Sequence, residues 1–274
     1  MIQIIQTSET GRIEMPDASA MPYIYVVLSG SLRLHTPSGI LDYAERQYSV
    51  SAIDTPTSGN VLYLGADGLF RAVSIPFTLD EVLGVMLEME ENSAERIAGG
   101  GISQEEMDSA DANVLQATER LITLQADALQ RTFLMRNTKR ELLFHVLCGS
   151  MGRQFLQAVS GIRESADIYK LNSWIKSNYR QTLSVTELAD RANMSVSSLH
   201  QKFKKSVGMG LLQCQKRLRL TEARRLMLDE DKNAMESAED VGYVSFPQFI
   251  REYKKMFGRA PKEDIAFLKS HLSR

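Results

Sequence analysis

The sequence predicts an α+β protein of two domains: a small β-barrel with a helical extension over residues 1–160, then an all-helical domain over residues 165–274. Three observations carry this prediction. Short β-branched and aromatic runs fill the first part of the chain, helical periodicity replaces them after Phe77, and a helix–turn–helix pattern near residue 190 recurs fifty residues on. At 274 residues the chain is long enough for two cores. Its 43% hydrophobic and 24% charged residues are globular values that exclude a disordered, collagen-like or fibrous chain.

No run approaches the ~18 apolar residues of a membrane span. Met1 to Gln6, followed by Glu9, lacks the basic-then-apolar pattern of a signal peptide, so a cytoplasmic protein without a membrane partner is expected. Cys148 and Cys214 fall in separate helical segments, and the four histidines show no metal-ligand spacing. Neither a disulfide scaffold, a metal site nor a cofactor is expected. The net charge of −2 hides a division: residues 1–164 carry 12 basic and 21 acidic residues, net −9, whereas residues 165–274 carry 20 and 13, net +7. Clustered Lys and Arg neutralise phosphates, so the basic part suggests a polyanion-binding domain, although a solvated basic surface fits the charge equally well.

The strand runs are Tyr23 to Leu28, Ser31 to His35, Ile40 to Tyr43, Tyr48 to Ile53, Val61 to Leu64 and Leu69 to Ile75, with Ser29-Gly30 as a turn or bulge. Such short, closely spaced strands predict a small barrel or sandwich. Its interior can hold a ligand or be filled by its own side chains. Tyr25, Arg33, His35 and Arg71 are the polar strand residues that could face an effector, or face solvent.

Thr78 to Glu91 then reads as an amphipathic helix, and Gly99 to Gly101 interrupts the pattern. Ser103 with Glu106 forms a capping box, predicting a helix that carries Met107, Ala110, Val114, Ala117, Leu121, Leu124 and Ala128 in 3-4 spacing. The stripe Ala110, Val114, Ala117, Leu121 and Leu124 suits a homodimer seam and equally an intramolecular hairpin.

Ser184 to Glu187 is another capping box, opening a short helix with Val185, Leu188, Ala189 and Ala192 on one side. Asn193-Met194 turns the chain and Ser195 caps a second helix, whose Val196, Leu199, Phe203 and Val207 share a face opposite Ser197, Ser198, Gln201 and Lys205. Ser195, Leu199, Phe203, Lys204-Lys205 and Val207-Gly208 return as Ser245, Phe249, Tyr253, Lys254-Lys255 and Phe257-Gly258. Ala189 returns as Ala238 at an offset of forty-nine, so the second turn is one residue longer. The helix Leu211 to Leu228 joins the copies. Two recognition helices entering successive major grooves about 34 Å apart are expected.

These residues resemble the AraC/XylS family of bacterial transcription regulators. The resemblance runs from Ile168 to Leu268 and is closest in Lys216-Arg217-Leu218-Arg219-Leu220 with Ala223-Arg224, in Val241-Gly242-Tyr243, and in Pro247 to Lys255 with Phe257 to Pro261. Glu141 to Leu143 and Leu147 to Gly152 look like the connector of members whose N-terminal domain is a cupin-like barrel. Against the family pattern, Ala234 and Ser237 replace larger aliphatic residues, which implies a less stable second unit, and Met209-Gly210 replaces a small residue and proline.

Groove readers need outward positions one turn apart near a helix N-terminus, which selects Ser197 and Gln201, and in the second copy Pro247, Gln248 and Arg251. The resemblance adds His200. A guanidinium at Arg251 can pair with guanine, and Gln201 or Gln248 with adenine, although a salt bridge to a neighbouring acid or a phosphate contact would also account for Arg251. Lys204, Lys205, Lys254 and Lys255 suit phosphates, as do the helix N-termini at Ser184, Ser195 and Ser245. No catalytic constellation or glycine-rich phosphate loop is present in the sequence, so an enzyme is not expected. The implied function is promoter binding followed by contact with RNA polymerase, usually activation, with or without a small-molecule effector. A regulator whose barrel only dimerises or docks a protein is the alternative, and an enzyme with a DNA-localising domain a more distant one.

Overall fold

The structure, a computed structural model, describes residues 2–15, 21–36, 40–50, 58–89, 107–207 and 209–272. The fold is mixed α+β and divides into two compact units. One comprises Met1–Arg33, Asp42–Thr55 and Asn60–Ala166, the other Leu34–Leu41, Pro56–Gly59 and Asp167–Arg274.

Strands β1 (Gln3–Thr7), β8 (Phe70–Pro76), β3 (Tyr23–Ser29), β6 (Gln47–Val50) and β9 (Asp108–Ser109) form an antiparallel sheet in that order. A second sheet has the order β2 (Gly11–Glu14), β7 (Ser58–Tyr63), β4 (Ser31–His35) and β5 (Ile40–Tyr43). Side chains alternate across a strand, and the first sheet uses its two faces differently. Ile24, Val26, Tyr48, Val50, Val73 and Ile75 join an apolar core with helical residues such as Val82, Val114, Leu142 and Phe155. On the opposite face Ser49, Tyr25 and Ser74 stand in register across three strands. The Tyr25 ring meets Tyr43 of the second sheet edge-on at 6.2 Å. Gly30 makes the turn between β3 and β4 at φ 81°, where an added Cβ would lie 2.5 Å from the Tyr63 carbonyl oxygen, so only glycine fits.

Helix α1 (Leu79–Glu88) starts at a complete capping box between Thr78 and Glu81. Over the described residues 107–128, a two-residue strand and separate helices stand where one helix from Ser103 to Ala128 was expected. Ser103 and Glu106, like Gly99 to Gly101, lie outside the described residues. Beyond β9, α2 (Ala112–Thr123) begins where the Asp111 carboxylate accepts the Val114 N–H at 2.8 Å, and Asp127 caps α3 (Ala128–Cys148). Ala110, Val114, Ala117 and Leu121 belong to the core of this unit, and Leu124 is also buried. The seam is therefore intramolecular and not the homodimer face. The 3-4 spacing says only that a helix face is covered, and here the unit's own sheet and helices cover it.

Helix α4 (Gly152–Asn178) leads to α5 (Val185–Arg191), α6 (Val196–Val207), α7 (Leu211–Asp229), α8 (Ala234–Asp240), α9 (Phe246–Phe257) and α10 (Pro261–Leu272). Helix α7 starts immediately after Met209-Gly210, close to the expected position. Around its second half, Leu220, Ala223, Leu226 and Met227 pack with Ala238, Val241, Tyr243, Phe249 and Tyr253.

Candidate nucleic-acid interface

Two helix–turn–helix units are built from the same backbone bonds. In the first, Asn193 N–H donates to the Asp190 carbonyl at 3.0 Å and Met194 N–H to Ala189 at 2.9 Å; in the second, Gly242 N–H donates to Glu239 and Tyr243 N–H to Ala238, both at 2.9 Å. Each of these residues is displaced by forty-nine. Asn193 and Gly242 occupy the left-handed region at φ 51° and 87°. Gly242 is obligatory, because a Cβ there would sit 2.1 Å from the Arg180 carbonyl oxygen. The helix caps are displaced by fifty: Ser195 Oγ accepts from Ser198 N–H at 3.2 Å, and Ser245 Oγ from Gln248 N–H at 3.4 Å. Val244 is thus the additional residue of the second turn, and it projects fully into solvent.

Helices α6 and α9 bury equivalent residues, Leu199, Phe203 and Val207 in one and Phe249 and Tyr253 in the other. Ser197, His200, Gln201, Lys204 and Lys205 are all exposed on α6. Pro247, Gln248, Arg251, Lys254 and Lys255 are all exposed on α9. Arg251 forms no ion pair among the described residues, so the salt bridge that would explain it structurally is absent. Ser184 Oγ accepts from Glu187 N–H at 3.4 Å, the same capping role as Ser195 and Ser245.

The framework rests on long polar side chains of α7 to which sequence reading gave no role. Arg219 donates to the carbonyl oxygens of Tyr179 (2.8 Å), Arg180 and Gln181 (3.0 Å each) and Gly242 (2.8 Å). Gln215 Nε2 donates to Tyr179 and Gln181 at 2.8 and 2.6 Å. These carbonyls follow the end of α4, where no helical partner remains, and Arg219 ties them to the second turn. Arg224 grips Asp264 of α10 bidentately at 2.8 and 3.0 Å, and Tyr253 Oη donates to the same carboxylate at 2.9 Å. Burial and the Asp264 charge push the Tyr253 hydroxyl well above the ordinary tyrosine range.

Glu252 lies beside Arg251 on α9. It accepts from Tyr243 Oη at 2.8 Å, Lys216 Nζ at 2.8 Å and Gln248 Nε2 at 3.3 Å. Burial alone would raise its carboxyl, but the hydrogen bonds from Lys216, Tyr243 and Gln248 prevail and hold it below the ordinary glutamate range. A motif signal would have found Arg219 only as a helix residue, because its partners lie about forty residues upstream in Tyr179 to Gln181 and 23 residues downstream at Gly242.

The four polar strand residues are not gathered into one site. Arg33 is locked bidentately to Asp42 at 2.7 and 2.6 Å. His35 Nε2 lies 2.8 Å from Asp229 Oδ2, with both side chains buried. Arg71 reaches out into solvent, where it pairs with Asp67 at 2.7 Å, a correction to its reading as an effector residue; its strand position is on the outward face. The Tyr25 ring packs on Tyr43 of the second sheet, with its hydroxyl buried and without a partner, and the buried His35 Nδ1 is likewise unpartnered. Among the described residues, no group of three or more His, Cys, Asp or Glu could hold a metal, and no helix is long and apolar enough to cross a membrane.

A two-unit helix–turn–helix module carried with a β-sheet unit is the architecture of a DNA-binding regulator. Residues 188–265 match the helix-turn-helix domain model, and residues 2–154 match the model of the AraC-type transcriptional regulator N-terminus. The chain belongs to the AraC-type transcriptional regulators. It is 31% identical over 121 residues to the HTH-type transcriptional activator RhaS of Pectobacterium carotovorum, covering 44% of this chain and 43% of that one. It is 27% identical over 154 residues to RhaS of Escherichia fergusonii, covering 56% and 55%. The chain thus spans about half the length of these curated relatives. Among solved structures, ToxT of Vibrio cholerae O395 is similar at a TM-score of 0.47 and 11% identity, over 98% of both chains.

Proposed function

We propose that this chain binds promoter DNA in the bacterial cytoplasm through both helix–turn–helix units and activates transcription by contact with RNA polymerase. The observation that carries this reading is the repeated exposed face: Ser197, His200 and Gln201 on α6, and Pro247, Gln248 and Arg251 on α9, each followed by a lysine pair. The readers meet base edges and the lysines meet phosphates, with the capped helix N-termini at Ser184, Ser195 and Ser245 adding backbone N–H groups. Activation is supported by the activators it resembles. Electrophoretic mobility shifts of the full chain on the promoter fragment of its own gene, at two salt concentrations, test DNA binding. Binding that weakens steeply with salt is expected; salt-independent binding, or none, overturns the reading.

The N-terminal unit senses an effector in this reading. Its support is the in-register row Ser49, Tyr25 and Ser74, with the Tyr25 hydroxyl unpartnered. Arg33 and Arg71 are committed to Asp42 and Asp67, so the row favours a neutral, hydrogen-bonding compound over a carboxylate. Mass spectrometry of small molecules released from protein purified from its host identifies it. Release of only a carboxylic acid overturns the neutral-ligand reading.

A homodimer forms through α3, whose Leu129, Phe133 and Phe144 are exposed. A second copy fits because antiparallel pairing about a two-fold axis between Arg136 and Asn137 sets Leu129 against Phe144 and Phe133 against Arg140, whose guanidinium is also paired with Glu88, a self-complementary match. Phe133→Arg is expected to give a monomer by light scattering. An unchanged dimer removes this face from the reading.

A further inference from the structure

Gln248 is the outward residue of α9 whose side chain is already held from within the protein. Its amide nitrogen, not its oxygen, must face Glu252, because an ionised carboxylate accepts hydrogen bonds and a carbonyl oxygen cannot donate one. The Gln248 Nε2 to Glu252 Oε1 distance is 3.3 Å. Glu252 has little freedom of its own. Lys216 Nζ from α7 holds Oε1 at 2.8 Å, and Tyr243 Oη from the turn before α9 holds Oε2 at 2.8 Å. The Glu252 side chain is 18% exposed and retains its charge, being held below the ordinary glutamate range by these contacts despite its burial.

We propose that Glu252 is a specificity-determining positioning residue that fixes the amide orientation of Gln248 and so commits this position to adenine. It rests on the DNA-reading function proposed above. A free glutamine amide can turn over and offer either end to a base edge. With one Nε2 hydrogen engaged by Glu252, Oε1 and the second Nε2 hydrogen remain as an ordered acceptor–donor pair. Adenine presents the complement in the major groove, the N6 amino group as donor and N7 as acceptor. Guanine, with acceptors at both O6 and N7, meets an acceptor facing an acceptor. Lys216 and Tyr243 belong to the scaffold, so the orientation is set before DNA arrives.

The test is selection of binding sites from a randomised duplex library by the full chain and by four variants, with thermal melting of each. The parent is expected to prefer adenine at one position, and Gln248→Ala to lose that preference. Glu252→Gln, which removes the acceptor-only partner, should weaken the adenine preference at that position about five- to tenfold while leaving the preferences at all other positions unchanged. In the Gln248→Ala background, Glu252→Gln should have no further effect on base choice. Tyr243→Phe removes a scaffold bond without freeing Gln248, and so should keep the parent's base choice whatever it does to melting.

Failure of the parent to select any consensus defeats the DNA-reading function itself. Selection by the parent with an unaltered consensus in Gln248→Ala, or in Glu252→Gln, overturns this proposal alone. Equal loss of affinity for all sequences in Glu252→Gln, or the same shift of base choice in Tyr243→Phe, assigns Glu252 to folding and also overturns it.

Discussion

Arg251 and Lys255 are one helical turn apart on the exposed side of α9 and differ in what they are expected to do. Arg251→Ala should cost about 1–3 kcal/mol on the cognate site and relax the preference at one or two base pairs, which quantitative binding to a panel of single-substituted sites will show. Lys255→Ala should weaken all DNA alike and lower the salt slope by about one. Both positions were legible because outward positions follow from helical period and cap. Glu252 was not, since its partners Lys216 and Tyr243 come from other elements and only the fold assembles them. Ser237 shows a third kind of residue. Its departure from the family pattern was visible, and the structure adds that it is fully buried with its hydroxyl unpartnered. Removing an unsatisfied hydroxyl should help, so Ser237→Ala is expected to stabilise by about 1 kcal/mol in urea unfolding.

Among the elements, α2 separates what a pattern states from what it leaves open. The stripe from Ala110 to Leu124 correctly marked a covered face, but the same spacing serves a partner chain or the protein's own sheet. Leu121 is fully buried in the core of its unit, so Leu121→Ala should lower stability by about 2–5 kcal/mol without changing the mass seen by light scattering. The β-strands were located by β-branched runs and turn residues, yet alternation alone could not tell that Arg71 faces solvent while Tyr25 faces the second sheet. The hold on α9 carries a pH signature. A carboxyl held below its usual range adds stability that is complete above that range and lost as pH falls through its lower folded value. The stability difference between the parent and Glu252→Gln is therefore expected to narrow as pH falls below about 4, by urea unfolding at stepped pH.

For the molecule as a whole, the division of charge and the internal repeat were readable before any coordinates, because both are properties of order along the chain. The joining of the two helix–turn–helix units was not, since Arg219 and Gln215 act on carbonyl groups that every residue possesses. With Lys204, Lys205, Lys254 and Lys255 all on phosphate, the logarithm of affinity should fall with the logarithm of salt at a slope of about −3.5 or steeper, measured by fluorescence anisotropy of labelled duplex. The extra residue of the second turn has a consequence in evolutionary terms. Val244 stands outside every bond shared by the two turns, and lies between Tyr243, which closes one helix, and Ser245, which opens the next. A codon can enter a duplicated gene segment there without disturbing either cap. Descendants of the repeat are thereby free to re-aim one recognition helix while its twin keeps the ancestral bearing.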